Sequence, residues 1–397
     1  MSSPFRIAII SITVMKKLNV LYICNDFESL EGGSLSLLYL VDSVKKWVNP
    51  VFLVSREGVV SRKIRDLGYE CIIHRFAYMW HFQRLNFYHR IKIWIYDQLN
   101  LIGIWKDLKG RHIDIVHSNS SINVIGVNLA KLLKAKHVWH VREYFDLDFH
   151  VDVLCGLPEL NRKLNTADAR IAITQGIKVH RSLKEENTFV IWDAVRHSSD
   201  VTPILPKDKY FLFCSARLTI NKGAVFAVEC FAKSKLKDKG YRLKMIGKVV
   251  DGDTLQKIKD IAIRYKCVDS IDLLGYQTNV RPYFEKATAF MMCSIFEGLG
   301  RVTVESMFYG CPVIGRNTGG TAEIVKPGIS GYLFDNEDEC IELMRKVISE
   351  DSTALAESAQ RYAVANFSTE HYGPEVMKVY WKVGCQVCAH NSIQFFG

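Results

Sequence analysis

The chain has 397 residues, 48% of them hydrophobic and 24% charged, and carries a net charge of +10. That length exceeds one ordinary core and predicts two domains, while the composition excludes a disordered chain and no stretch reaches the roughly 18–20 apolar residues that a bilayer span needs. The basic excess lies mainly in residues 1–195, at +7 against +3 for the remainder, which points to an anionic partner in that half.

The eleven cysteines are scattered without a framework pattern and read as reduced thiols of a cytosolic protein. Cys385 and Cys388 form a C-x-x-C, but no second pair follows at zinc spacing, so no metal site is expected there. Residues 7–15 are apolar but too short for a span and lack a convincing cleavage site. Met15-Lys16-Lys17 reads as a natural start before a first strand, with residues 1–14 as a spurious extension.

From there strand and helix patterns alternate, the signature of parallel sheets covered by helices on both faces. Strands are predicted at 18–24, 51–54, 71–74, 114–117, 137–141 and 169–174. Glu31-Gly32-Gly33-Ser34 is predicted as a glycine-rich turn before a helix over 35–47. Residues 75–111 stand apart, with nine aromatics and seven basic residues against two acids, Asp97 and Asp107. Apolar spacing over 85–108 fits a helix. A basic helix rich in Trp and Tyr suits a membrane interface, and the plainer reading packs its apolar side on the sheet and leaves its basic side in water.

Residues 196–208 lose all periodicity and contain Pro203 and Pro206, which marks a linker. The pattern then restarts with strands at 210–214, 242–246 and 270–274 and helices at 223–234 and 255–265. The predicted fold class is α/β, two Rossmann-like doubly wound parallel-sheet domains facing each other across a cleft, where ligand sites are favoured. The predicted domains are 1–196, 197–367, and a final segment 368–397 whose helix crosses back to the first domain.

The densest chemistry lies in residues 289–325. A buried strand at 289–293 gives way to a loop holding Glu297, Gly298, Leu299 and Gly300, and a helix from Arg301 to Tyr309 carries Glu305. Both glutamates face one crevice at the carboxyl edge of a parallel sheet. The glycines let backbone N–H groups approach an anion at a helix N-terminus. Carboxylates beside an anion site suit a polyhydroxylated, phosphorylated ligand. Solvated surface acids are the plainer reading of such a pair.

Ser215-Ala216-Arg217-Leu218 leads through Lys222-Gly223 into a helix. Its two cations at a helix N-terminus suit a diphosphate, against a plainer reading as loop surface charge. Gly32 and Gly33 lack the full dinucleotide fingerprint. His140, in Val138-Trp139-His140-Val141-Arg142-Glu143, ends a strand at the presumed cleft, although a lone histidine is more often structural. There is no Walker loop, nucleophile elbow or zinc-protease pair, and the Asp-x-Asp at Asp146-Leu147-Asp148 lies in an acidic and aromatic stretch after His140. Nucleic acid is not an expected partner, because the basic residues are spread over α/β units without a recognised module.

Together these motifs resemble the retaining, nucleotide-sugar glycosyltransferases of the GT-B fold in the family-four group, of the bacterial polysaccharide type. The resemblance runs from Lys16 to about Trp381 and is most specific at Phe296–Gly300, Glu305, Gly310–Ile314 and Gly319-Gly320. It implies that Arg217 and Lys222 neutralise the leaving diphosphate, that Glu297 binds the transferred sugar, and that Glu305 binds the ribose. Amides of Gly298, Leu299 and Gly300 add donors, Gly33 lets the first domain close on the donor, and His140 contacts the sugar at its reacting face. Tyr276 and Gln277 fall where the base sits. Asp193-Ala194 departs from the Asn-Gly of many members, at the interdomain hinge.

The implied function is metal-independent transfer of a sugar, without cofactor, to a glycan or lipid-diphosphate-linked acceptor in cell-envelope polysaccharide synthesis. The implied location is cytoplasmic, peripheral on the inner face of the plasma membrane through residues 75–111. A nucleotide-sugar epimerase on the same fold and a non-catalytic membrane-associated scaffold are the alternatives.

Overall fold

The computed structural model describes residues 16–24, 30, 32–77, 80–81, 86–148, 152–350 and 352–384. The expectations for residues 1–15, Glu31, Tyr78, Phe82, Arg84 and the C-x-x-C tail lie outside the described residues.

Seven parallel strands form the first sheet, in the order β3-β2-β1-β5-β6-β8-β9. They are β1 (Leu18–Cys24), β2 (Val48–Val54), β3 (Glu70–Ile73), β5 (Ile115–Asn119), β6 (Lys136–Val141), β8 (Ala169–Ala172) and β9 (Thr188–Val190). A short antiparallel ribbon, β4 (Trp80–His81) with β7 (Asp152–Val153), stands beside it. The helices of this half are α1 (Gly32–Val44), α2 (Val59–Asp66), α3 (Phe87–Leu108), α4 (Ile125–Leu133), α5 (Leu157–Leu164) and α6 (Gln175–His180). The central strands are continuous apolar runs because both faces are covered: Val20 and Tyr22 pack with Leu37 and Val41 on one side, and Leu21 and Ile23 with Leu101 and Ile104 on the other.

The second sheet has six parallel strands in the order β12-β11-β10-β13-β14-β15. These are β10 (Tyr210–Leu218), β11 (Arg242–Val249), β12 (Ile271–Gly275), β13 (Ala289–Met292), β14 (Val313–Arg316) and β15 (Gly331–Phe334). Around them lie α7 (Ala224–Ser234), α8 (Gly252–Arg264), α9 (Arg281–Lys286), α10 (Arg301–Phe308), α11 (Gly319–Ile324) and α12 (Glu337–Val347). Two further helices close the chain, α13 (Ser352–Phe367) and α14 (Thr369–Gly384). α14 lies against α1, and its Tyr372, Val376, Met377 and Tyr380 enter the core of the first half.

The two predicted α/β units are therefore present. One apolar cluster crosses between them, running from Trp139, Ile173 and Ile177 to Leu299, Val304 and Met307. One local expectation differs. The helix after β1 starts at Gly32 rather than after the glycines. The first turn of a helix needs no intrahelical partners for its N–H groups, so glycines there cost little.

Candidate active site

Residues from both halves meet where the carboxyl edges of the two sheets face each other. The turn after β10 is shaped by a slip in pairing. The register of β10 on β11 shifts between Cys214 and Arg217, a bulge that re-aims the strand end and leaves Arg217 exposed. The turn is fastened to the strand beside it, since Ile295 N donates to Asn221 O (3.0 Å) and Ser294 Oγ to Lys222 O (3.4 Å). Gly223 is required here. At φ +79°, a Cβ would meet the Cys293 carbonyl oxygen at 2.2 Å. This close approach carries Lys222 to Glu297, and Lys222 Nζ donates to Glu297 Oε1 at 2.7 Å, with both side chains partly exposed. Two motifs read separately in the sequence thus share one ion pair.

The loop after β13 touches the other half of the chain. A Cβ on Gly298 would lie 2.6 Å from the carbonyl oxygen of Arg142, so only glycine lets the loop pack against the end of β6. Leu299 and Gly300 are buried beneath it. Glu305, on α10, accepts from Arg196 Nη2 at 3.3 Å, a residue of the interdomain linker.

Gly33, in the first turn of α1, accepts from Asn119 Nδ2 at 3.1 Å. The same Asn119 accepts from Arg142 Nε at 2.9 Å. Gly33 lies beside the Arg142 side chain, as the Glu297–Gly300 loop lies against its backbone carbonyl.

His140 is placed differently from expectation. Its ring is wholly buried, with Nδ1 3.3 Å from Arg142 Nη2 and Nε2 3.4 Å from Asp193 Oδ1. Arginine can only donate, so Nδ1 accepts and Nε2 carries the hydrogen toward Asp193. Burial, reinforced by the Arg142 charge, holds His140 down at about 4, against the opposing pull of Asp193. The imidazole is neutral and faces the hinge, and what this strand presents to the Glu297 loop is the Arg142 backbone. Asp193 is itself pushed up by burial, but the Arg142 guanidinium and His140 outweigh this and hold it well below the usual carboxylate range. Arg142 Nη1 and Tyr372 Oη (3.1 Å) both donate to Asp193.

Tyr276 and Gln277 follow β12 at the edge of the second sheet. Tyr276 is exposed, and Gln277 Nε2 donates to Leu274 O at 2.7 Å. No hydrogen bond or ring contact among the described residues joins either to Glu297 or Glu305. Asp146 pairs with His180 Nε2 at 2.8 Å, and Asp148 accepts the N–H groups of Tyr144 and Phe145. A cavity of about 470 Å³ opens beside this loop, lined by Asp146, Asn161, His180 and Arg181 among others.

Several side chains that hold the cleft together were not expected. Arg301 Nη1 reaches across to Ser36 Oγ (2.8 Å) and Ala194 O (3.1 Å). A cation at the first position of a helix opposes the helix dipole, which was the one local sign that it has a distant partner. Glu323, on α11, accepts from Gln175 N and Gly176 N of α6 at 2.7 and 2.6 Å. Lys248 is the register partner of Arg217 and is exposed beside it.

The cleft between the two sheets thus carries a Lys222–Glu297 pair and an exposed Arg217–Lys248 edge. The fold agrees with known proteins. The Anabaena protein Alr3699/HepE, solved in complex with UDP, superposes with a TM-score of 0.76 at 16% identity, over 92% of this chain and 100% of that one. The chain is also 24% identical over 256 residues to lipopolysaccharide 1,6-galactosyltransferase of Salmonella typhimurium, covering 61% of this chain and 67% of that protein. It is 28% identical over 130 residues to Vi polysaccharide biosynthesis protein VipC/TviE of Salmonella typhi, 31% of this chain and 22% of that one. The matched part is thus under a quarter of the second relative's length. The architecture is GT-B. Residues 198–365, most of the second half of the chain, match the family of glycosyl transferases group 1.

Proposed function

We propose that the protein transfers a sugar, with retention and without a metal, from a nucleotide-sugar donor to a glycan or lipid-linked acceptor of a bacterial cell envelope. The Lys222–Glu297 pair carries this reading. Without ligand the two charges neutralise each other. A donor diphosphate would draw Lys222 toward itself, beside Arg217, and release Glu297 to accept from the sugar's hydroxyls. The leaving group's developing charge would then meet fixed cations and the amides of the Gly298–Gly300 loop. Glu305, already at the linker through Arg196, is proposed to hold the ribose.

The structure solved with UDP and the polysaccharide-synthesis relatives support a uridine nucleotide and a glycan acceptor. The acceptor side is proposed to be the 142–148 loop and the cavity beside it. Attack from the leaving-group face, assisted by the departing phosphate, would give retention.

The deciding experiment is calorimetric titration with uridine diphosphate, followed by transfer assays with UDP-sugars. The expected result is binding that falls at least about ten-fold in Lys222→Ala, and transfer that a metal chelator leaves unchanged. Failure of the wild-type protein to bind any nucleoside diphosphate would reject the reading.

A further inference from the structure

α3 is apolar on two faces. Leu101, Ile104 and Leu108 pack into the core beside Phe76, and the half-buried Asp97 on that side accepts from Ala77 N at 2.9 Å. Among the described residues, the opposite face is left open. Phe87 is 78% exposed, Trp94 63% and Leu99 64%, and Ile91, Ile95 and Ile102 are exposed with them. At about 100° per residue these six fall in one sector roughly 140° wide. Isolated exposed apolar residues are ordinary, whereas a continuous stripe of this size marks an interaction surface.

Charge narrows the choice of partner. Lys92 and Lys106 lie in or beside the sector, and Lys109 follows the helix with its ammonium over the Trp105 ring at 5.4 Å. The exposed acid of the helix, Asp107, lies on the remaining flank. Aromatic and aliphatic side chains with lysines at their rim match an anionic lipid interface, where the rings sit at headgroup depth and the lysine stems reach up to phosphate. Among the described residues no helix is long and apolar enough to cross a membrane, so the contact is one of lying on the surface.

The helix is also aimed. Its Phe87 end is tied to the segment that leads away from the cleft loop: Arg90 Nη1 donates to Leu154 O at 2.6 Å, and the β4–β7 ribbon pairs Trp80 with Val153. Val153 and Leu154 are buried, and Val153 shares a cluster with Tyr144, whose ring lies 5.7 Å from that of Phe296 next to Glu297. A surface under α3 therefore lies on the acceptor side of the cleft.

We propose that the solvent face of α3 seats the amino-terminal half on an anionic lipid surface, and that the acceptor is carried in that surface. The second part rests on the glycosyl-transfer reading; the first stands without it. The test is flotation with vesicles of phosphatidylcholine alone and of an equal mixture with phosphatidylglycerol, at low and high salt. The wild-type protein is expected to float with the anionic vesicles and to be released by salt. Phe87→Ser/Trp94→Ser/Leu99→Ser should lower that partition by about ten-fold or more, and Lys92→Glu/Lys106→Glu should lower it on anionic vesicles only. Uridine diphosphate binding by both variants, unchanged from wild type, would show that they fold.

Failure of the wild-type protein to float, or equal flotation by the triple variant, overturns the proposal. So does a wild-type dimer in sedimentation that the triple variant loses, because the face would then be covered by a second copy. Absence of nucleotide binding in a wild-type protein that still floats would reject the transfer reading alone.

Discussion

Asp193 holds a full charge where water does not reach. It accepts from Arg142 and Tyr372, and His140 lies 3.4 Å away. A buried ion pair gains little over an apolar replacement, but removing one partner leaves the other uncompensated, which costs about 3–5 kcal/mol. Asp193→Asn keeps the shape and removes the charge. Its unfolding free energy, measured in urea, is therefore expected to drop by most of that amount, whereas Tyr372→Phe, losing one hydrogen bond, should cost about 1 kcal/mol. Equal effects would mean that the charge is not what holds Arg142. The cleft pair behaves differently because water reaches it. Glu297→Ala should leave the thermal midpoint within a few degrees of wild type and lower kcat for sugar transfer by about 10²–10³. A variant with full kcat would remove Glu297 from the reaction.

At the scale of elements, the informative contacts are those between a loop of one half and a strand end of the other. Gly298 sits where any Cβ would press on the Arg142 carbonyl at 2.6 Å, and a backbone atom cannot swing aside as a long side chain can. Gly298→Ala should therefore push the loop off β6 while both sheets persist. The expected outcome is transfer reduced by about ten-fold or more, with unchanged circular dichroism. Much of the fold was legible in the sequence, and the reason is local. β1 is an unbroken apolar run because helices cover both its faces, and the loop–helix chemistry of Glu297 to Glu305 is contiguous in the chain. What brings the halves together was not legible. Arg301 and Ser36 are 265 residues apart, and Glu323 and Gln175 148 apart, so neither residue's neighbours announce its partner. For His140 the sequence located the strand end at the cleft, but not which way the ring turns. That direction is set by Asp193, which looked only like a departure at a hinge.

Across the whole molecule, the first half carries a store of acid sensitivity. His117, His137 and His140 are buried, and His117 Nε2 and His137 Nδ1 have no hydrogen-bond partner among the described residues. Burial holds all three below the usual histidine range: His137 to about 3, His140 to about 4, and His117 well below it, with the help of the His140 and Arg142 charges. In the unfolded chain each would take a proton near pH 6.5. Their contribution to stability is thus fully present above that pH and is lost as pH falls toward the folded values. Asp148 works the other way. Burial raises it to about 6, so its contribution is present below the ordinary carboxylate range and is lost as pH rises through 6; Glu143, also raised by burial, has the same sign. Near pH 5 three protons taken up on unfolding are opposed by one or two, and stability should fall by about 1–3 kcal/mol for each pH unit lost. Urea unfolding at pH 7 and pH 5 checks this, with a clearly lower midpoint expected at pH 5. His117→Gln should flatten the dependence by about one proton. His117 bonds Tyr380 of α14 at 2.9 Å, so the loss should appear in the same transition that releases the carboxy-terminal helix from the first half. A midpoint that stays level or rises at pH 5 would mean that the three rings take protons while still folded.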